Sequence, residues 1–241
     1  MQPTVTVCEL PDDPAAFADA RVALQDHVID SSTDRRVLNE SPFDAWFPRE
    51  PEFEASTWRR PVERHRPGVE DLRFECTVNA TMPVDHEGRR HQRSFSWSPA
   101  SRLEPWRFKS YLPDELDVWE ASWYEPVSDE PDLRQLTGAQ VGVLVCSELW
   151  KFERAGRMGR LGAQLIATPR ATGTDSVDKW LTGGRAAAIS AGAFSLSSNL
   201  AGGPFGGHGW IISPDGEILA ETDEGSPFAT VTIDLADADR A

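Results

Sequence analysis

The sequence predicts an α/β protein in which two sheets are sandwiched between helix layers, within one domain spanning residues 1–241. Three observations predict it. Strand-like and helix-like segments alternate at both ends of the chain, with hairpin-like strands between them. Two short, nearly continuous apolar runs, QVGVLVC at 140–146 and AQLIATP at 163–169, have the character of strands buried on both faces. With 241 residues, 39% of them hydrophobic, the chain can bury a substantial core.

Taken in order, residues 3–9 (PTVTVCE) alternate and are β-branched, as an opening strand would be. Residues 14–29 repeat Ala, Phe, Val and Leu near helical spacing, with Asp12 or Asp13 as the cap. DRRVLNESPF at 34–43 reads as a strand that ends in a loop. Residues 44–70 are rich in Pro, Glu and Arg, so irregular structure with one short helix is expected there. FECTVNATMPV (74–84) and RSFSWSP (93–99) read as strands joined by a turn at His86–Gly88. After the buried run at 140–146 a helix is expected over about 149–161, then the strand at 163–169 and an Ala-rich helix over 176–192. AFSLSSN (193–199) and GWIISPDGEILAET (209–222) read as the last strands, the second bent at Pro-Asp-Gly. No internal repeat or low-complexity tract is present.

Composition excludes several classes. Against 39 Asp and Glu stand 24 Lys and Arg, a net charge of −15, which argues against a nucleic-acid partner because phosphate binding needs clustered cations. The opening MQPTVTVCELPDD carries neither a basic start nor a long apolar run, so a soluble, cytoplasmic protein that does not engage a membrane is expected. Three cysteines (Cys8, Cys76 and Cys146) form neither a disulfide framework nor a CxxC pair. The five histidines show no ligand spacing, so no metal and no cofactor is expected; His86 and His91, flanking a turn, are expected to be exposed. The Gly-rich GGPFGGHG around His208 lacks the Lys-Ser/Thr end of a phosphate loop and reads as a flexible loop at a pocket rim.

Cys146 ends a buried strand just before a predicted helix. Ligands of α/β folds bind beyond the carboxyl ends of strands. Helix-start N–H groups can receive an oxyanion and favour a thiolate. From position alone, a buried and inert strand cysteine is the plain alternative.

The surrounding text says more. VGVLVCSELW resembles the cysteine signature of the nitrilase-like (carbon–nitrogen hydrolase) superfamily, with Glu148 as the acidic residue two positions on. RLGAQLIATP (160–169), Trp180, GRAAAI (184–189), Ser198-Asn199 and GWIISPDGEIL (209–219) follow the family's order. RFKSYLPDE (107–115) resembles its lysine segment, and Lys109 is the first of only three lysines in the chain. VLNESPF (37–43) resembles the segment of its general base, Glu40, with Asn39 where Pro is usual. WEASWY (119–124) resembles the segment of a second glutamate, Glu120.

The resemblance implies a four-layer α-β-β-α sandwich and a Glu–Lys–Cys triad. Cys146 is then the nucleophile, Glu40 the general base, Lys109 and the Ser147 N–H the oxyanion donors, and Glu120 a fourth site residue. Trp150, Thr172 and Trp123 are expected to wall the pocket. Glu148 is expected to be structural, pairing with Arg154 or Arg157, and Cys8 to be buried and inert. The implied activity is hydrolysis of a non-peptide C–N bond in a small linear amide or N-carbamoyl amine, through a cysteine thioester and in a homodimer or higher homo-oligomer. A non-catalytic binding or scaffold protein on the same fold is the alternative.

Overall fold

A computed structural model describes residues 1–72, 74–128 and 130–241. The elements run β1 (Thr4–Pro11), α1 (Pro14–Asp30), β2 (Arg35–Val37), α2 (Ala55–Glu70), β3 (Thr77–His86), β4 (Arg89–Ser98), β5 (Arg102–Phe108), α3 (Glu120–Trp123), β6 (Arg134–Leu136), β7 (Ala139–Val143), α4 (Phe152–Arg160), β8 (Leu165–Pro169), α5 (Val177–Ala191), β9 (Phe194–Gly202), β10 (Phe205–Gly206), β11 (Trp210–Ile212), β12 (Ile218–Glu221), β13 (Phe228–Thr232) and α6 (Leu235–Arg240).

The strands form one hydrogen-bonded path, β5-β4-β3-β2-β1-β9-β8-β7-β6, that folds over on itself at β1. The first part of β1 pairs in parallel with β2 (Val5 with Arg35) and antiparallel with β13 (Val5 with Val231). Its last three residues leave that sheet and pair in parallel with β9 (Glu9 with Asn199). Two sheets therefore face each other and share one strand.

Side-chain alternation then fills three layers. Val5 and Val7 of β1, Val141 and Val143 of β7, Leu165 and Ala167 of β8, and Leu196 of β9 meet between the sheets. Cys8 and Leu10, the opposite face of β1, pack with Val78, Ala80 and Phe95 against Phe17, Leu24 and Val28 of α1. Leu144, Ile166 and Ile212 pack outward onto Ala155 and Met158 of α4 and Ala187 and Ala188 of α5. Each fully buried Val, Leu or Ile contributes about 1.5–3 kcal/mol. The result is a four-layer α-β-β-α sandwich. Both faces of β7 and β8 are covered, which explains their unbroken apolar runs.

The helix at 14–30 forms as expected, capped by Asp13, whose carboxylate accepts from Ala15 and Ala16 N–H. The turn between β3 and β4 is tighter than expected. Glu87 (φ 51°) and Gly88 (φ 77°) alone turn the chain, both in the left-handed region that two-residue hairpins need.

Three expectations are corrected. Residues 44–70 hold a 16-residue helix, α2, not a short one. Glu54 caps it through Ser56 and Thr57 N–H, and Trp58, Pro61, His65 and Val69 share its buried face, although two prolines lie inside it. GWIISPDGEILAET is not the last of the sheet, because β13 follows and pairs along β1. His91 is buried, 3% exposed, with Nδ1 2.7 Å from Glu125 O, whereas His86 is exposed.

Candidate active site

Three strand ends and the start of a short helix converge beneath one cavity. β2 runs on through Leu38 and Asn39 to Glu40, whose N–H donates to Arg170 O (3.1 Å) in the loop after β8. β5 ends at Phe108, and the next residue, Lys109, donates its N–H to Gln92 O of β4 (2.8 Å). α3 begins at Glu120. β7 continues through Leu144 and Val145 to Cys146, which opens a 3₁₀ turn over Cys146–Trp150.

Glu40, Lys109 and Glu120 are each at most 1% exposed, and Cys146 is 5% exposed. The Lys109 ammonium lies 2.8 Å from Glu40 Oε1, 2.9 Å from Glu120 Oε1 and 2.6 Å from Glu120 Oε2. Burial alone would drive that ammonium toward the neutral amine, but Glu120, Glu40 and Cys146 outweigh it and hold Lys109 above its ordinary value. One ammonium between two carboxylates leaves an excess negative charge. Burial, only partly offset by Lys109, pushes the Glu120 carboxyl up to about 8. Burial and then Glu40 push the Cys146 thiol above its ordinary range, against the opposing pull of Lys109 and the Ala171 N–H. At neutral pH the resting sulfur is therefore a thiol. Glu40 Oε2 is buried and has no hydrogen-bond partner among the described residues, so it can accept a proton.

Glu148 fixes the relation between the cysteine and the lysine. Its carboxylate accepts from Arg107 Nη2 (2.9 Å), Ser110 N (2.8 Å), Ser110 Oγ (2.7 Å) and Val145 N (2.9 Å). It thus binds the residue before Cys146 and the residue after Lys109. Its partner is Arg107 of β5, not Arg154 or Arg157 as the sequence suggested; Arg154 reaches the cluster through Ser110 Oγ (3.1 Å). Burial would raise the Glu148 carboxyl, but Arg107 and these N–H donors outweigh it and hold it below its ordinary value.

The cavity above has a volume of about 880 Å³, and Cys146, Ser147, Trp150, Thr172 and Glu120 all line it. Trp123 does not. It is packed with Phe47, Trp58 and Tyr124, and its indole N–H donates to Glu50 O (2.8 Å). The aromatic run WEASWY therefore contributes Glu120 to the cavity and Trp123 to the core. Pro204 and Phe205 of the Gly-rich stretch reach the rim, while His208 turns away to Glu221 (2.6 Å). Cys8 is buried, its thiol pushed up to about 12 by desolvation first.

Sequence reasoning missed Gln92, Ala171 and Arg170. Arg170 is fully buried, donates to Ser197 Oγ and Thr172 Oγ1 (both 2.7 Å), and stacks 3.9 Å from the Trp210 ring. Their only signal was position next to a recognised strand, since none carries a distinctive motif.

The fold and this arrangement define a class, α-β-β-α proteins with a buried thiol beside a carboxylate-caged ammonium. Residues 93–241 match the model of the carbon-nitrogen hydrolase family, and the chain belongs to that family. The N-carbamoylputrescine amidase of Arabidopsis thaliana is 30% identical over 142 residues, 51% of this chain and 48% of that protein, so the chain spans about half the length of the curated relative it matches. A carbon-nitrogen hydrolase from Helicobacter pylori G27 superposes with a TM-score of 0.87 at 17% identity, over 100% of this chain and 92% of that one. Nit3 of Saccharomyces cerevisiae, a member of branch 10 of the nitrilase superfamily, does so at 0.80 and 17% (99% and 92%). An amidase from Nesterenkonia sp. does so at 0.78 and 18% (99% and 93%). At such identities the three structures share the fold.

Proposed function

We propose that the chain is a thiol amidohydrolase that cleaves the C–N bond of a small linear amide or N-carbamoyl amine, with Cys146 as nucleophile. The observation that carries this reading is the buried Lys109 ammonium, held between Glu40 and Glu120 at 2.6–2.9 Å beside a cavity floored by the Cys146 thiol.

The sulfur attacks the carbonyl carbon as its proton passes to Glu40 Oε2, the oxygen without a partner. The C=O electron pair moves to oxygen, where Lys109 and the Ser147 N–H stabilise the charge. Collapse breaks the C–N bond, and the proton on Glu40 leaves with ammonia or the amine. Water, deprotonated by Glu40, then attacks the thioester carbonyl. The acid or carbamate departs and the proton returns to sulfur. Glu120 holds the Lys109 ammonium in place throughout.

The cavity mouth supports a substrate with a positively charged tail. Glu115, Asp117 and Asp175 line it, against Lys179 and an Arg49 already paired with Asp12 at 3.0 Å. Trp150 and Trp180 meet in the wall at 4.9 Å with their rings tilted by 50°. The similarity to an N-carbamoylputrescine amidase points the same way.

Ammonia release tests the proposal across short amides, ω-amides, nitriles and N-carbamoyl amines with and without a distal amine. The amine-bearing N-carbamoyl compounds should give the highest kcat/KM. Cys146→Ala should release none, and Lys109→Ala should lose at least about 10²-fold, as for a lost oxyanion donor. Undiminished turnover by Cys146→Ala would remove the reading of Cys146 as nucleophile, and no ammonia from any compound of the panel with the wild type would favour a non-catalytic protein on this fold.

A further inference from the structure

We propose that Gln92 is a positioning residue that reserves one oxygen of Glu40 for the Cys146 proton. The inference rests on the catalytic reading above and extends it to a residue outside the Glu–Lys–Cys set.

Gln92 lies in β4 and is 1% exposed. Its amide nitrogen is 3.1 Å from Glu40 Oε1, 2.7 Å from Ser41 Oγ and 3.2 Å from Thr81 Oγ1. A carboxylate oxygen only accepts, so the amide must present its NH₂ end to Glu40. Lys109 donates to the same oxygen at 2.8 Å. Oε1 is therefore held by two donors, while Oε2 is buried with none among the described residues. Turning the carboxylate to give Lys109 both oxygens would break the Gln92 bond. The amide thus blocks a closed two-oxygen ion pair that would leave no basic atom for the thiol.

The same residue acts on the lysine through its backbone, since Gln92 O accepts the Lys109 N–H at 2.8 Å. Ser41, whose hydroxyl Gln92 also binds, sits at φ 48°, and its N–H donates to Thr81 Oγ1 (3.0 Å). Gln92 and Thr81, on neighbouring strands, so hold the Glu40–Ser41 corner from below. The charged and titratable groups facing Glu40 are Lys109 after β5, Glu120 at the start of α3, Tyr124 just past α3, and Cys146 after β7. Of these, Lys109 donates to Oε1, at 2.8 Å.

The test compares wild type with Gln92→Glu, which keeps the shape but replaces the donor, and Gln92→Met, which keeps the length but is apolar. The readouts are kcat and KM against pH, the iodoacetamide alkylation rate of Cys146 located by peptide mapping, and Tm. Both variants should lose at least about tenfold in kcat with KM within about twofold, and alkylate more slowly. The acid limb of the kcat profile should move to higher pH, further in Gln92→Glu, because ionised Glu40 has lost a donor and gained a carboxylate neighbour. A folded variant with wild-type kcat and acid limb overturns the inference. So does a loss of activity that follows Tm with the profile unmoved, or a rise in KM alone. Failure of the underlying reading looks different: wild-type Cys146 would then alkylate no faster than Cys8 and Cys76.

Discussion

Cys146 has a φ of 45°, a left-handed conformation that side chains other than glycine and asparagine rarely adopt. Such strain persists only where the surroundings enforce it, and here Glu148 does so by holding the Val145 N–H. Cys146, Lys109 and Glu120 were legible in the sequence because each sits in a recognisable local text. Gln92 was not, since its role comes from a partner 52 positions away in the chain. The wall residue Trp123 was misread for a related reason: one residue of a short helix faces the cavity and another the core, and sequence does not show which. Arg36 is a second residue of this scale. Its three guanidinium nitrogens have no hydrogen-bond partner among the described residues, it stacks on Phe74, and burial pulls it down to about 9. Replacing a buried, unsatisfied cation with an apolar chain of similar length should stabilise the fold. Arg36→Met is predicted to gain about 1–3 kcal/mol in urea unfolding; a loss of that size would mean the guanidinium contributes to stability.

Between elements, the Glu148–Arg107 pair joins the strand that ends at Lys109 to the turn that starts at Cys146. Because the Glu148 carboxyl is held below its ordinary value, the stability it supplies is present above the usual carboxylate range and is lost as pH falls through its folded value. Glu148→Gln removes the buried carboxylate that Arg107, Ser110 and Val145 share and should cost about 3–5 kcal/mol at pH 7. Its Tm deficit relative to wild type should shrink as pH falls through the folded value of the wild-type carboxyl, which lies below the ordinary carboxylate value; a deficit that does not change with pH would contradict this account. The helix pair α4–α5 has its own constraint. A Cβ at Gly159 would fall 2.8 Å from the Ala191 carbonyl carbon, so Gly159→Ala should lower Tm despite the higher helix propensity of alanine. Helix α2 was underestimated in the sequence because Pro61 and Pro67 are read as breakers. Its capping glutamate and the apolar spacing of Trp58, Pro61, His65 and Val69 prevail once the helix lies on the sheet.

At the scale of the whole molecule, the site depends on the two sheets closing on each other at β1 and β9. Glu40 comes from the sheet of β1 and β2, whereas Cys146 comes from the sheet of β7 and β8. The family match begins at residue 93, after Glu40, so the proposed base lies in the part of the chain that the family model does not match. The buried parallel runs around Cys146 were easy to read for the opposite reason, since burial on both faces leaves few residue types to choose from. The homodimer or higher homo-oligomer implied by the family resemblance is a prediction at this scale: light scattering should give at least twice the 26.7 kDa chain mass, and a single-chain mass would count against it. The most direct test of the central claim is an acid quench of wild-type protein during steady-state turnover, followed by peptide mapping by mass spectrometry. The account predicts the substrate's acyl or carbamoyl mass on the peptide that carries Cys146, and no adduct in Cys146→Ala. An adduct on another residue, or turnover by Cys146→Ala at the wild-type rate, would contradict it.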